Sequence, residues 1–311
     1  MNLSDFFNSI FTASFVFVVI RVSIPLICAS LSAYTANVSG LFNIAVEGIM
    51  LMSALMAVLG SYWTNSAWLG LLIAIATGVF MGLTIAFFSM YLGANSILVG
   101  IALNTFAVSF SVFLLYLFTG NKGSSASLAS KVLPTVNIPI IKDIPIIGEI
   151  FSGHYAITYI TVVVMILVYL LLYKTPLGMR IKAAGLDPEA ARSVGINVNK
   201  VRIISIMISG VIGALGGAYL TTGYMSVFVK NMVSGRGWIG IAVQGMAGSS
   251  FPILIITTML FSVFQAFTNI FSLYNLPSEL INIIPYVAVL FGIIIFSISE
   301  YYRHKRGELD Q

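Results

Sequence analysis

The chain has 311 residues, of which 59% are hydrophobic and only 8% are charged. A soluble domain carries about 25% charged residues, so the composition excludes a soluble globular protein. The net charge of +5 at pH 7 does not indicate nucleic-acid binding, because the basic residues are concentrated in loops between apolar stretches, as the positive-inside bias predicts.

Apolar runs long enough to cross a bilayer recur along the chain. A membrane-spanning helix needs about 20 apolar residues, and lipid offers the backbone no hydrogen-bond partners, so these runs must be helical. The sequence therefore predicts an all-α polytopic membrane protein with about nine transmembrane helices (about eight to ten) in one domain, residues 1–311. The predicted spans are 12–34, 41–61, 67–91, 96–119, 154–173, 202–222, 236–249, 252–273 and 282–300.

Basic residues set the predicted orientation. The loop 174–202 holds six Lys and Arg residues, and the tail after residue 300 is also basic. Cytoplasmic loops are enriched in Lys and Arg, so both segments are predicted to be cytoplasmic, with four spans between them. The N-terminus and the long loop 120–153 are then extracytoplasmic.

Small residues recur at every fourth position in two of the predicted spans. Such stripes let helix backbones approach closely in a membrane. We favour packing within the bundle over an interface between subunits, although the pattern allows both. The stripes are Gly70, Ala74, Gly78, Gly82 and Ala86 in the third span, and Ser209, Gly213 and Gly217 in the sixth.

A short segment occurs twice, as Ile44-Ala-Val-Glu-Gly48 and as Ile241-Ala-Val-Gln-Gly245. In the predicted topology the two copies cross the membrane in opposite directions. An inverted repeat leaves this pattern and places the transport path at the interface of its halves. A coincidental match of common residue types is the alternative.

Polar residues within or at the ends of the predicted spans are candidates for lining a solute path. Glu47 is ionisable, and such a residue inside a membrane helix is costly and suggests function. Its alternative role is structural, through hydrogen bonds to neighbouring backbone or a pair with Arg21. If Glu47 acts by hydrogen bonding, Glu47→Gln should be tolerated better than Glu47→Ala. The candidate path residues are Asn43, Glu47, Asn104, Gln244 and Asn269.

The loop 174–202 is predicted to contain a short helix. Asp187 is a suitable N-cap, and Pro188 fits the first turn because its missing N–H costs nothing there. Two alanines favour the helix, and Gly195 suits the position just after its end. We therefore expect a helix over 188–194 that lies along the membrane surface.

Three segments of the chain resemble the ABC importer permeases of the simple-sugar and nucleoside branch, which includes ribose transporters. Glu189-Ala-Ala191, followed after three residues by Gly195, is similar to the Glu-Ala-Ala-x-x-x-Gly pattern of their cytoplasmic loop. Leu41-Phe-Asn-Ile-Ala-Val-Glu-Gly48 resembles their second-span signature. Gly235-Arg-Gly-Trp-Ile-Gly-Ile-Ala-Val-Gln-Gly245 resembles their late glycine-rich segment.

The resemblance implies a type II importer-like bundle that translocates nucleosides or simple sugars across a bacterial-type plasma membrane. Branched-chain amino acids are a third candidate solute. The implied partners are a cytoplasmic ATP-binding cassette subunit, a second permease subunit (homologous or identical) and an extracytoplasmic solute-binding protein. The residues implied to couple this chain to the ATPase are Asp187, Pro188, Glu189, Ala190, Ala191, Arg192 and Gly195.

The sequence holds no motif for a chemical reaction. No Gly-x-x-x-x-Gly-Lys-[Ser/Thr] occurs, so no P-loop is predicted, and no Cys/His cluster of the kind that binds a metal is present. We expect no catalytic or metal site and no cofactor in this chain, with ATP and magnesium on the partner subunit. The alternative function is an ion-coupled secondary transporter with Glu47 as the coupling carboxylate, which needs no cytoplasmic docking helix.

Overall fold

The computed structural model describes residues 12–139 and 144–271, together with isolated positions between 287 and 298, and in these ranges the chain forms a helical bundle. Most of the predicted span 282–300 and the whole tail after it lie outside the described residues. Seven of the described helices are long and apolar enough to cross a membrane. The all-α membrane class is thus confirmed, and the predicted number of spans is confirmed in part.

The helix bounds follow the hydropathy pattern closely. In chain order the helices are α1 Ala13–Asn37, α2 Val46–Thr64, α3 Ala67–Ala86, α4 Ser96–Thr119, α5 Ile147–Phe151, α6 Ala156–Lys174, α7 Pro176–Leu186, α8 Pro188–Ser193, α9 Val198–Tyr219, α10 Arg236–Ala247 and α11 Phe251–Phe271. Single π-helical turns, Phe87–Tyr91 and Leu220–Met225, extend α3 and α9. Two short strands, β1 Thr135–Val136 and β2 His154–Tyr155, pair antiparallel.

The predicted span 236–249, which is short and rich in glycine, forms as helix α10, and this helix is not long enough to cross a membrane by itself. Helix α10 has 12 residues, which gives about 18 Å against a hydrocarbon thickness of about 30 Å. Backbone with positive φ at Asn231, Ser234 and Gly235 ends any helical continuation before α10. The apolar composition of this region predicted a helix, and these turns confine that helix to the half of the bundle next to the basic loop.

The chain reaches α10 through the irregular segment 226–235, which lies on the side of loop 120–153. Phe228 is 0% and Val233 is 1% exposed, so the segment packs inside the bundle at both places. Non-helical backbone is tolerated at membrane depth only where protein or a water-filled cavity surrounds it. The segment and α10 together cross the bundle once. The chain before the segment and the chain after α10 therefore lie at opposite ends of the bundle, as the predicted topology requires.

Contacts identify the two ends of the bundle. At one end Arg202 Nε donates to the Ser39 carbonyl oxygen over 3.0 Å, which places the turn after α1 beside the basic loop. At the other end the Leu133 N–H donates to the Thr222 carbonyl oxygen over 2.9 Å. The basic loop and the long loop 120–153 therefore lie at opposite ends, as the predicted orientation requires.

The stripes of small residues pack within the chain. A Cβ atom on Gly78 would overlap the Gly210 carbonyl oxygen, so α3 and α9 touch backbone to backbone. A Cβ atom on Gly217 would overlap the Met50 carbonyl oxygen in the same way, between α9 and α2. Close packing of the bundle, rather than an interface between subunits, accounts for the two glycines at these contacts.

Candidate transport path and coupling loop

The N-terminus of α10 lies inside the bundle, where it meets Glu47. Glu47 Oε1 accepts the Gly235 N–H over 2.8 Å, and Oε2 accepts the Gly237 N–H over 2.7 Å. The first N–H groups of a helix lack intrahelical partners, and the helix dipole favours an anion beside them. A carboxylate from α2 therefore caps α10 through two backbone N–H groups, and a role of Glu47 in the solute path stays a prediction.

Two glycines make this contact possible. An added Cβ on Gly237 would lie 2.6 Å from the Glu47 Cα atom, closer than real Cβ atoms come. Gly235 has a φ of +81°, a left-handed conformation that costs glycine little. The sequence signal was the run Gly235-Arg-Gly237 at the start of α10, which hydropathy alone does not separate from the rest of the span.

Two asparagines hold the short segment between α1 and α2. Asn104 Nδ2 donates to the Ile44 carbonyl oxygen over 2.8 Å, and its Oδ1 accepts the Gly48 N–H over 2.7 Å. Asn43 Nδ2 donates to Ser209 Oγ over 2.8 Å. These two amides bind the protein's own groups and fix the backbone that leads to Glu47.

The observed start of α2 changes the expected position of Glu47 within its helix. The predicted span began at residue 41, which would place Glu47 almost two turns inside the helix. Helix α2 begins at Val46, so Glu47 lies in its first turn and is 6% exposed. The residues directly before α2 are not helical, and Asn43 holds them against α9 through its hydrogen bond to Ser209.

The two copies of the repeated segment have different structures. The first copy, 44–48, straddles the start of α2, whereas the second, 241–245, lies wholly within α10. Gln244 is 5% exposed and lies about 12 Å along α10 from its first residue. Glu47 and Gln244 thus occupy unlike positions in two helices that meet at their N-termini, and an inverted repeat stays a prediction.

The five candidate path residues do not form one cluster. Asn43, Glu47 and Asn104 surround the segment before α2, and Gln244 lies further along α10. Asn269 is half-buried near the end of α11, close to Phe267, whose ring lies 5.3 Å from that of Phe15 near the start of α1.

The predicted helix of the basic loop forms as α8, and Asp187 is its N-cap. Asp187 Oδ1 accepts the N–H groups of Glu189 and Ala190 over 2.9 and 3.0 Å. Pro188 occupies the first helical position, where no hydrogen bond is lost. The preceding helix, α7, was not predicted, although Thr175 before Pro176 is the same cap signal.

The end of α8 is a Schellman motif. The Gly195 N–H donates to the Arg192 carbonyl oxygen over 2.9 Å, and the Ile196 N–H donates to the Ala191 carbonyl oxygen over 3.0 Å. These are the two bonds that define the motif, and Gly195 has the left-handed φ of +83° that it requires. The helix is therefore fixed at both ends.

The inner face of this loop is attached to the turn after α1. A Cβ atom on Gly185 would overlap the Val38 carbonyl oxygen, so α7 lies directly on this turn. Arg202 joins the two, since Nε donates to the Ser39 carbonyl oxygen over 3.0 Å and Nη2 donates to the Ala184 carbonyl oxygen over 3.4 Å.

The outer face of the loop is apolar and basic. Leu186 is 85%, Val194 is 76% and Met179 is 63% exposed. Beside them Arg180 and Lys200 line a groove of about 440 Å³. Exposed apolar side chains next to polar ones are typical of a protein–protein contact.

Comparison with known proteins places the whole chain in one group. Residues 15–298 match the family model described as branched-chain amino acid transport system / permease component. The chain is 32% identical to the guanosine ABC transporter permease protein NupQ of Bacillus subtilis, over 88% of both chains. It is 29% identical to the nucleoside ABC transporter permease protein NupC of Lactococcus lactis, over 88% of this chain and 89% of that protein.

A sugar permease and solved structures are also similar. The chain is 26% identical to the glucose ABC transporter permease protein TsgB13 of Haloferax volcanii, over 91% of this chain and 76% of that protein. PsaBC from Streptococcus pneumoniae matches with a TM-score of 0.54 and 12% identity, over 94% of this chain and 95% of that chain. A transporter described as a metal-chelate type ABC transporter, in an inward-facing conformation, matches with a TM-score of 0.51 and 16% identity, over 91% of this chain and 85% of that chain. The structural matches show a shared fold.

Proposed function

The chain belongs to the family of permease components of branched-chain amino acid transport systems, and on that premise we propose that it is the membrane-spanning subunit of an ATP-driven importer of nucleosides. As a permease component it is a multi-pass membrane protein with no catalytic role of its own. We choose nucleosides as the solute because the chain is similar to a guanosine permease over 88% of both chains. Simple sugars are the second candidate, supported by the glucose permease, and branched-chain amino acids are the third.

Family membership argues against an ion-coupled secondary transporter. That alternative needed Glu47 as a carboxylate that takes up and releases an ion. Both Glu47 oxygens accept backbone N–H groups of α10, so the carboxylate already has a structural task. We therefore set this alternative aside.

The basic loop is the proposed docking site of a cytoplasmic ATP-binding cassette subunit, which would hold ATP and magnesium. Its outer face exposes Leu186 and Val194, and its short helix α8 presents Glu189 and Arg192. Displacement of this loop would move the turn after α1, because Gly185 lies against that turn. The turn leads to the segment held by Asn43 and Asn104, and from there to Glu47 and α10.

Further partners follow from the proposed importer. A second permease subunit, homologous or identical, would complete the path, and an extracytoplasmic solute-binding protein would deliver the small polar solute to the side of loop 120–153. The five candidate path residues keep distinct proposed roles. Asn43, Glu47 and Asn104 shape the wall of the path, whereas Gln244 and Asn269 are the candidates for direct contact with solute.

Uptake measurements test the proposed solute. The permease, expressed with its ATPase and binding protein in cells that lack nucleoside uptake, is expected to accumulate radiolabelled guanosine. Unlabelled nucleosides should compete for uptake, and glucose or leucine should not. Competition by glucose alone would assign the permease to sugars, and uptake that persists without the ATPase would contradict an ATP-driven importer.

Substitution in α8 tests the coupling role. Glu189→Lys reverses a charge on the docking face, and Gly195→Val forces a β-branched residue into left-handed backbone, at a cost of about 1–2 kcal/mol. Both variants are expected to insert normally but to transport about tenfold less, because 1.4 kcal/mol corresponds to a factor of ten. Glu149→Lys, at an exposed residue in the opposite loop, is the matched control. Native transport by both α8 variants would remove α8 from the coupling route.

A further inference from the structure

Strained backbone is concentrated in the irregular segment 226–235. Five non-glycine residues among the described residues have a left-handed φ, and three of them lie in this segment. Such residues persist only where surrounding contacts hold them, and they cluster at clamps and switches. The π-helical turn Leu220–Met225 leads directly into the segment, and turns of this kind are frequent at functional sites. The three residues are Ser226 (+63°), Asn231 (+59°) and Ser234 (+54°).

The loop after α4 holds the outer part of this segment. The Ser125 N–H donates to the Phe228 carbonyl oxygen over 2.9 Å, and the Phe228 N–H donates to Ser125 Oγ over 2.8 Å. The Lys230 N–H donates to the Gly123 carbonyl oxygen over 2.9 Å. Ser125 and Phe228 are both 0% exposed, so their contact lies inside the protein.

The same loop is fixed to the end of α2. The Lys131 N–H donates to Ser61 Oγ over 2.7 Å, and Ser61 Oγ donates to the Lys131 carbonyl oxygen over 2.9 Å. Ser130 Oγ donates to the Ser226 carbonyl oxygen over 3.1 Å. Residues 123–131, which we call the latch, therefore tie the outer part of the segment to α2.

The inner end of the segment is held on α2 by a different type of contact. There the Glu47 carboxylate accepts two N–H groups, and hydrogen bonds to an ionised group are stronger than those between neutral groups. The bonds between the latch and the segment join neutral groups only. The outer part therefore separates more easily than the inner end, and relaxation of the left-handed residues favours its release.

We propose that the segment 226–235 is a gate of the solute path, which the latch holds shut and which moves about its inner end at Glu47 during transport. This inference rests on the proposed importer function. Phe228 and Val233 lie in one apolar cluster with Met50 and Leu51 of α2. Release of the latch withdraws these two side chains from α2 and opens a route from the side of loop 120–153.

A reversible cross-link tests whether the segment must move. Ser124 and Val229 form an antiparallel bridge, and residues opposite each other in such a pair are close to the spacing that a disulfide needs. The pair Ser124→Cys and Val229→Cys is made in a Cys28→Ala background, which removes the native thiol. We expect normal uptake when this pair is reduced, loss of uptake when it is oxidised, and recovery in dithiothreitol.

A second cysteine pair is the matched control. Thr135 and Tyr155 are paired in the same way between β1 and β2, outside the latch. Uptake by the variant with Thr135→Cys and Tyr155→Cys should therefore not change on oxidation. Normal uptake by the fully oxidised pair at 124 and 229 would overturn the gate.

The accessibility of Val233 gives a readout that does not depend on the identity of the solute. Val233 is 1% exposed, so Val233→Cys in the same background should react with an impermeant thiol reagent only while the complete importer hydrolyses ATP. Ser125→Ala removes an acceptor of the latch and should allow labelling without ATP. Ser127→Ala, at an exposed residue of the same loop, should not.

The two readouts separate the gate from the proposed solute. Labelling of Val233→Cys during ATP hydrolysis without nucleoside uptake would mean that the gate is correct and the solute is wrong. A Val233→Cys variant that stays unlabelled while it hydrolyses ATP would overturn the gate. If Val233→Cys does not fold, the cross-link between residues 124 and 229 still decides.

Discussion

Glu47→Gln is expected to remove most of the folded permease from the membrane, although the side chain keeps its size. Both Glu47 oxygens accept N–H groups of α10, and glutamine offers one acceptor oxygen and one NH₂ group. Its NH₂ group would face an N–H donor, so one buried backbone group loses its partner. We expect a loss of about 3 kcal/mol, and Glu47→Gln should be no better tolerated than Glu47→Ala.

This expectation differs from the one drawn from the sequence, in which Glu47→Gln is tolerated better than Glu47→Ala if Glu47 acts by hydrogen bonding. The amount of folded permease in membranes, measured by fluorescence-detected gel filtration of a fusion protein, decides between the two. Glu149→Gln makes the same chemical change at an exposed residue and should change the unfolding free energy by less than about 0.5 kcal/mol. A normal yield of Glu47→Gln, with altered solute affinity instead, would show that Glu47 contacts the solute.

Gly185→Ala is expected to uncouple ATP hydrolysis from transport. Its single added carbon would overlap the Val38 carbonyl oxygen and lie 3.0 Å from the Gly40 nitrogen, and neither backbone group can rotate away. Overpacking of this kind costs about 1–3 kcal/mol, so α7 should separate from the turn after α1. We expect solute-stimulated ATPase activity of the reconstituted importer to fall about tenfold or more, since 1.4 kcal/mol is a factor of ten.

Gly245→Ala is the matched control for this change. Gly245 also lies in a helix, and a Cβ atom there meets nothing within 4 Å. Alanine is the better helix former by about 1 kcal/mol, so this variant should be at least as stable as the native chain. Full coupling in Gly185→Ala would mean that the loop signals to the bundle by another contact.

The elements that sequence predicts well are those with local causes. The bounds of α4, Ser96–Thr119, coincide with the predicted span, because a long apolar run has no other stable form in lipid. Helix α8 follows from Asp187 and Gly195, whose cap contacts lie within a few residues of each other. Hydropathy and cap chemistry are both properties of a short window of sequence.

The features that sequence did not predict depend on distant contacts. Glu47 and its partner Gly235 are 188 residues apart, and no local pattern links a carboxylate in one span to the start of another. Asn104 likewise hydrogen-bonds the backbone of Gly48, 56 residues earlier. The buried turns before α10 were not predicted for a related reason, since composition cannot show that irregular backbone packs inside the bundle.

Because Glu47 of α2 caps α10, the two helices are expected to assemble in a fixed order while the protein is made. Ribosomes synthesise the chain from its N-terminus, so Glu47 is in the membrane before Gly235 is made. A helix of 12 residues is too short to enter the bilayer stably alone, and the N–H groups of Gly235 and Gly237 find their acceptor only when they reach Glu47. The second half of the chain can therefore complete its insertion only against a first half that has already assembled.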